Sequence, residues 1–471
     1  MCGTKAHNRS TQPDIPKEKI MSPLRFFNAG QGRGERQSHQ PPARSTGKLQ
    51  VQAPVGAAAM AAAGLQLPHY PFQPLPPDPG TAPFRFDLSK LLSADDITSI
   101  VNSGSMVFHT VGDTGDERGR QQDFVASMMT QDADSLPDNK KPAFLYHLGD
   151  VVYFAGDIDK YGNNFYETYK DYPAFIVSIP GNHDCQPDDP QDGPVNPKKV
   201  PLDGWVQNFM SKDPAQLGSL KTGSNRTQMD LPYVYWTFTT PFVTILGLFS
   251  NVGETEGEIH PDQVDWFQKE LAAADPNKAL IVTVHHPPFS GDTEHRGSSA
   301  VEAVLSASFQ AAKRYPNLIL SGHVHNYQRF TNVMSGPKGQ LQIPCIVAGA
   351  GGYTNLGKLQ KIGGAFPTTP LKISSDLTLE TYDQTNFGFL RLEVSKTQIL
   401  GTYTSAPYDP SGAAPASVVK DSFTIDLTRN TVTTGAAKGS GGPAKPPKPG
   451  GKNPKPAKPA KPPKGSKKRR R

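Results

Sequence analysis

Between residues 104 and 405 of this chain, short apolar runs alternate with stretches of helical period. Runs rich in Val, Ile, Leu and Phe, closed by Gly or a polar residue, are the mark of buried strands. MVFHTVGD (106–113), FLYHLGD (144–150), AFIVSIPGN (174–182), ALIVTVHH (279–286), LILSGHVH (318–325) and IPCIVAGAGG (343–352) read this way. VYWTFTTPFVTILGL (234–248) reads as two adjacent strands, and FGFLRLEVSKTQILGTYTS (387–405) as an antiparallel hairpin. Helical spacing marks Gln121–Ala133, Pro261–Ala274 and Ser299–Tyr315, the second opened by a proline at its first position. Strands alternating with helices predict an α/β fold. No repeat of 20–50 residues is visible.

Composition changes the domain count that 471 residues suggest. Of 46 prolines, 13 lie in residues 1–83 and nine in 436–471. The expectation is a disordered, Pro-rich arm over 1–83, one folded domain over 84–434, and a disordered Lys/Pro-rich basic tail over 435–471. Charge follows the same division. Residues 438–471 hold 13 Lys and Arg and no acid, while 67–437 hold 27 bases against 40 acids, a net of −13. An acidic body repels polyanions, so an anionic substrate there needs a strong local positive charge, which bound metal would supply. The tail suits contact with nucleic acid or an anionic membrane by counterion release; it equally suits a solubilising linker.

Three widely spaced cysteines argue against a disulfide framework. No run of 18 apolar residues predicts a transmembrane helix, and MCGTKAHNRSTQPDIPKEKI lacks a signal-peptide core. A cytoplasmic location is therefore expected. Met60 opens MAAAGLQLPHYPFQPLPP and is a candidate translation start.

Five predicted strands end in residues of metal-ligand type: Gly112-Asp113-Thr114-Gly115, Gly149-Asp150-Val151-Val152-Tyr153, Gly181-Asn182-His183-Asp184, Val282-Thr283-Val284-His285-His286 and Gly322-His323-Val324-His325. Ligands of α/β folds bind beyond the carboxyl ends of the strands. Each motif alone reads as a turn or a core histidine. Together they offer enough oxygen and nitrogen donors for two metal ions sharing a carboxylate. His109 and His147, inside the strands, read as core residues. There is no G-x-S-x-G elbow, no phosphate-binding G-x-x-x-x-G-K-[ST] loop and no zinc-finger spacing.

In this order the motifs resemble those of the calcineurin-like metallophosphoesterases, over roughly residues 104–405. Many members carry D-x-H at the first motif, where this chain has Gly115. The purple acid phosphatase branch lacks that histidine and uses the tyrosine of GDxxY, the place of Tyr153. GHVHNYQR (322–329) and LGDVVYFAGD (148–157) are also similar to that branch. The resemblance implies a four-layer sandwich of two mixed β-sheets flanked by helices. It implies Asp113, Tyr153 and His325 as ligands of one metal, Asn182, His285 and His323 as ligands of the second, and Asp150 as the bridge. His285 is preferred to His286 because it has the V-x-x-H spacing. It further implies His183 and His295 as catalytic groups near the phosphate.

Hard anionic donors suit Fe(III) at the first position, and imidazoles suit Fe(II), Zn(II) or Mn(II) at the second. The expected reaction is hydrolysis of a phosphomonoester by metal-bound hydroxide. Two readings compete with it: a phosphodiesterase with two divalent ions acting on nucleotides or lipid head groups, and a polyanion-binding protein working through the tail.

Overall fold

The computed structural model describes residues 48–52, 75–76, 80, 82–116, 120–186, 200–211, 226–250, 257–337, 339–409 and 417–435. The basic tail beyond Gly435, most of the Pro-rich arm and Met60 lie outside the described residues.

Two mixed sheets carry the core. The seven-stranded sheet runs, edge to edge, Thr431–Thr434, Val418–Asp426, Gln398–Ala406, Phe387–Ser395, Ser105–Val111, Pro142–His147 and Phe175–Ser178. Its last three strands are parallel and the rest antiparallel. The nine-stranded sheet runs Arg85–Asp87, Trp236–Thr239, Val243–Leu248, Ala279–Val284, Leu318–Ser321, Gly339–Ala348, Tyr327–Gly336, Leu377–Asp383 and Leu371–Lys372. The strands Val243–Leu248, Ala279–Val284, Leu318–Ser321 and Gly339–Ala348 are mutually parallel.

The central parallel strands are buried on both faces, which is why they read as continuous apolar runs. Every residue of Ser105–Val111, Pro142–His147 and Ala279–Val284 is buried. The sheets meet through these strands. Phe144 packs edge-on to Phe238 at 4.9 Å, Tyr146 stacks on Trp236 at 5.8 Å, and Thr283 Oγ1 donates to Tyr146 Oη at 3.0 Å. At the carboxyl ends the sheets are stitched by Gly112 N donating to Ala348 O at 2.9 Å.

Helices cover the outer faces. Ala94–Ser103 and Gln121–Ser135 lie on the seven-stranded sheet, Arg391 reaching Asp132 at 2.6 Å. Pro261–Ala273 packs on the nine-stranded sheet at Val243–Leu248, and Ser299–Ala312 packs on that helix through Phe309 against Phe267. The proline at Pro261 lacks an N–H that the first turn would leave unsatisfied. Ala94–Ser103 starts at a Ser93/Asp96 capping box and stops at Gly104, whose φ of 77° closes the helix.

Within the stretch read as an unstructured arm, residues 48–52 pack against the domain, with Leu49 and Val51 buried. Pro76 and Pro83 also touch it, accepting from Tyr233 Oη and Trp266 Nε1. No helix among the described residues is long and apolar enough to cross a membrane.

Candidate metal centre

Each predicted motif begins where a central strand stops. The strands end at Val111, His147, Ser178, Val284 and Ser321, and the polar residues occupy the loops directly beyond. Three loops turn at once through left-handed backbone: Asp113 has φ 60°, Asp150 52° and His323 66°. Asp and His tolerate this region better than most side chains, yet each still stores strain of about 1–3 kcal/mol there. Amide bonds lock the loops together: Asp113 N donates to Gly149 O, Thr114 N to Asp150 O, and Gly322 N to His285 O.

All seven metal-ligand candidates converge and all are buried. Tyr153 Oη lies 2.9 Å from Asp150 Oδ2, 3.2 Å from Asp113 Oδ1 and 3.2 Å from His325 Nε2. On the other side of Asp150, Asn182 Oδ1 lies 3.0 Å from His285 Nε2 and 2.9 Å from His323 Nδ1. Asp150 Oδ2 is 3.3 Å from His285 Nε2. Asp150, His285 and His323 offer ligand atoms all within 4.8 Å of one another.

The donor chemistry fits cations. A phenol has one proton, yet two carboxylate oxygens face Tyr153 Oη. Asp113 Oδ2 is buried and makes no hydrogen bond among the described residues. A buried anionic oxygen left in that state is costly unless a cation or proton reaches it. His285 Nδ1 lies 2.8 Å from the Leu148 carbonyl, which can only accept. Nδ1 therefore carries a proton and Nε2 faces the cluster, the arrangement a metal-binding imidazole needs.

Charge leads to the same conclusion. Burial alone pushes the His285 imidazole down, but Asp150 beside it lifts it to about 9. A proton is thus held among these acceptors where a cation would sit. Burial pushes Asp113 well above the usual carboxylate range, helped by the Asp150 charge. Burial also raises Asp150, yet His285 and His183 bring it below that range. His323 is pushed down by burial and by the other histidines around it.

The two catalytic candidates adjoin the cluster, His183 buried and His295 half-buried. His183 Nδ1 lies 2.8 Å from Phe154 O, its backbone N donates to Asp150 Oδ1 at 2.8 Å, and its ring centre is 4.5 Å from that of Tyr153. The His295 ring is 4.6 Å from His323 and 5.4 Å from His325. His286 packs its ring 4.2 Å from that of His323, while its Nδ1 meets Ser250 Oγ at 2.7 Å. Asp184 accepts from Gly181 N at 2.8 Å and Val151 N at 3.1 Å. It ties the second and third motifs together, because its place on the first helical turn aims it at open amides. Burial, with the Asp150 charge, lifts its carboxyl to about 7. Arg120 is exposed and pairs with Asp123, and Arg118 lies outside the described residues.

Some site neighbours were not legible as such. Tyr353 is buried with its ring 4.3 Å from both Tyr153 and His325; its only sequence signal is the Gly-Gly that ends a strand. Asp292 is buried under the His295 loop and accepts from Asn326 Nδ2 at 3.0 Å. Arg329, in the motif that supplies His323 and His325, stays out of the site. It is fully buried and bonds Asp421 through Nε at 2.6 Å and Nη2 at 3.1 Å, joining the two sheets.

Residues 106–327, just under half of the chain, match the family model described as calcineurin-like phosphoesterase. Its curated relatives are purple acid phosphatases of Arabidopsis thaliana. Purple acid phosphatase 21 is 32% identical over 99 residues, 19% of this chain and 21% of that protein. Purple acid phosphatase 22 is 28% identical over 144 residues, 30% of each. The chain thus spans less than a third of the length of the relatives it matches. Similar solved structures include PhoD, at 12% identity and TM-score 0.47, covering 72% of this chain and 73% of that one. Others are GAP50, the anchor in the inner membrane complex of Plasmodium, at 15% and 0.44 (67% and 88% covered), and a dimetal phosphatase from Danio rerio at 10% and 0.41 (68% and 99%).

Proposed function

We propose that the chain is a dinuclear-metal phosphoester hydrolase of purple-acid-phosphatase type acting on phosphomonoesters. Asp113, Tyr153 and His325 would hold Fe(III). Asn182, His285 and His323 would hold Fe(II), Zn(II) or Mn(II), and Asp150 would serve both. The observation that carries this reading is the division of donors about Asp150: phenol and carboxylate on one side, amide and imidazoles on the other. Two cations bound there would polarise the phosphoryl group and acidify a water.

The chain's own groups do the rest. The His183 amide holds Asp150 Oδ1, so the carboxylate presents Oδ2 to the cluster. The His183 ring is oriented by the Phe154 carbonyl, which accepts from Nδ1–H. The proton that titrates is then the one on Nε2, and we assign it to the leaving oxygen. His295, whose ring lies beside those of His323 and His325, is assigned to contact with the phosphate ester.

Metal analysis with a visible spectrum tests this reading. It expects two metal equivalents per chain, an absorption band lost in Tyr153→Phe, and turnover of 4-nitrophenyl phosphate abolished in Asn182→Ala. A colourless, fully metallated and active protein would favour a diesterase with two divalent ions. Turnover untouched by Asn182→Ala would refute the site.

A further inference from the structure

We infer that residues 48–52, which precede the catalytic domain in the chain, form a strap that positions the loop carrying His295. This rests on the hydrolase reading only for the role of His295. The strap itself rests on contacts. Gln52 pairs with Gly297 as a parallel bridge, and Ser290 N donates to Val51 O at 2.8 Å. Gln360 grips Gln50 at both backbone groups, its Nε2 donating to Gln50 O at 2.8 Å and its Oε1 accepting from Gln50 N at 3.4 Å. Arg296, the neighbour of His295, donates to Gln50 Oε1 at 3.0 Å.

The alternating side chains bury the same segment. Leu49 and Val51 point inward at 6% and 9% exposure. The slot they enter is shaped by missing side chains. A Cβ on Gly297 would come within 2.5 Å of Val51 O, and one on Gly291 within 3.1 Å of Leu49 Cδ2. The loop is therefore built to admit this strand, as in β-strand addition.

Two hydrogen bonds connect the strap to the site. Val51 O holds Ser290 N, and Ser290 Oγ holds His295 O at 2.8 Å. Asp292 fixes the local turn by accepting from the amides of Glu294 at 2.8 Å and His295 at 3.1 Å. That turn sets the loop's shape. The strap sets its outer flank, and so the placing of the ring 4.6 Å from His323. Residues 48–52 are positioning residues, separated from the domain in sequence and outside the family match.

The test uses the full chain with Leu49→Asp and Val51→Asp together, and Leu49→Met with Val51→Ile as the conservative control. For the double Asp variant, amide exchange should accelerate over 289–297 and stay unchanged over 279–284. Its kcat on 4-nitrophenyl phosphate should fall about tenfold or more, since small misplacements of remote origin act on kcat. The conservative variant should match the unaltered chain. In a His295→Ala background the double Asp change should cause no further fall, because coupled residues do not add. Unchanged exchange over 289–297, or acceleration spread over the whole nine-stranded sheet, would overturn the strap. A full further fall in the His295→Ala background would show that it does not act through His295. If the unaltered chain hydrolyses no phosphoester, the hydrolase reading fails, and the exchange data still decide whether the strap holds the loop.

Discussion

The strongest structural prediction concerns the buried pair Arg329–Asp421. The guanidinium is fully buried and the carboxylate nearly so. Asp421 accepts from Arg329 Nε at 2.6 Å, from Arg329 Nη2 at 3.1 Å and from Tyr327 Oη at 2.8 Å. Arg329 otherwise has Thr434 Oγ1 at 3.1 Å and the face of Phe423 at 5.2 Å, and its Nη1 makes no hydrogen bond among the described residues. Asp421→Leu therefore leaves a buried cation without a hydrogen-bonded carboxylate among the described residues, the Glu380 charge acting on it only without a bond. Stranding one member of a buried pair costs about 3–5 kcal/mol. Losing the acceptor for Tyr327 adds about 1–3 kcal/mol. Arg329→Met alone leaves the carboxylate with Tyr327 and should cost about 3 kcal/mol or more. The double variant Arg329→Met/Asp421→Leu removes both charges and strands only the Tyr327 hydroxyl, so it should lose about 1–3 kcal/mol in total. Urea unfolding followed by tryptophan fluorescence measures this, with the slope held constant across the set. A single variant costing under about 1 kcal/mol, or a double equal to the sum of the singles, would refute the argument.

Two further outcomes follow from the site. Gly181→Ala places a methyl 2.1 Å from Asp150 Oδ1 and 2.7 Å from His285 Cε1. Circular dichroism should stay native while bound metal and turnover drop by about a hundredfold; a variant that binds metal like the parent contradicts the assignment of Asp150. His147 accepts from Gly149 N at Nδ1 and meets Thr114 Oγ1 at Nε2, so it is held neutral, and burial pushes it down to about 3. Its folded pKa lies below the unfolded value of about 6.5. Stability should be full above that pH and fall as pH drops from about 6.5 to about 3, by up to about 1.4 kcal/mol per unit. The same slope in His147→Gln would show that another group is responsible.

The site was legible in the sequence because its donors are placed by strand ends. A buried strand announces itself by apolar composition, and the residue after it must turn, so Asp113, Asp150, Asn182, His285 and His323 each stand at a readable boundary. Tyr353 follows such a boundary too, but a buried aromatic ring reads as ordinary core until its neighbours are known. Edge elements were harder. Val418–Asp426 and Leu377–Asp383 alternate between buried and half-exposed positions over short spans, and the amphipathic helix Ala94–Ser103 buries no residue fully. The motif GHVHNYQR identified the family, yet its arginine proved to be a clamp between sheets, because spacing reports position along a strand and not which face meets a partner. Segment 48–52 is five residues of unremarkable composition whose meaning comes only from the glycines it meets some 240 positions later.

The donors are divided between two plates. Asp113, Asp150, Tyr153 and Asn182 leave the seven-stranded sheet, whereas His285, His323 and His325 leave the nine-stranded one. Neither plate carries the whole candidate set. The tolerance of the cage is then inherited from the apolar joint behind it, where Tyr146 meets Trp236 and Thr283. A slip at that joint would misalign both halves at once without disturbing any single loop, so wear at the back of the molecule is felt first at its front.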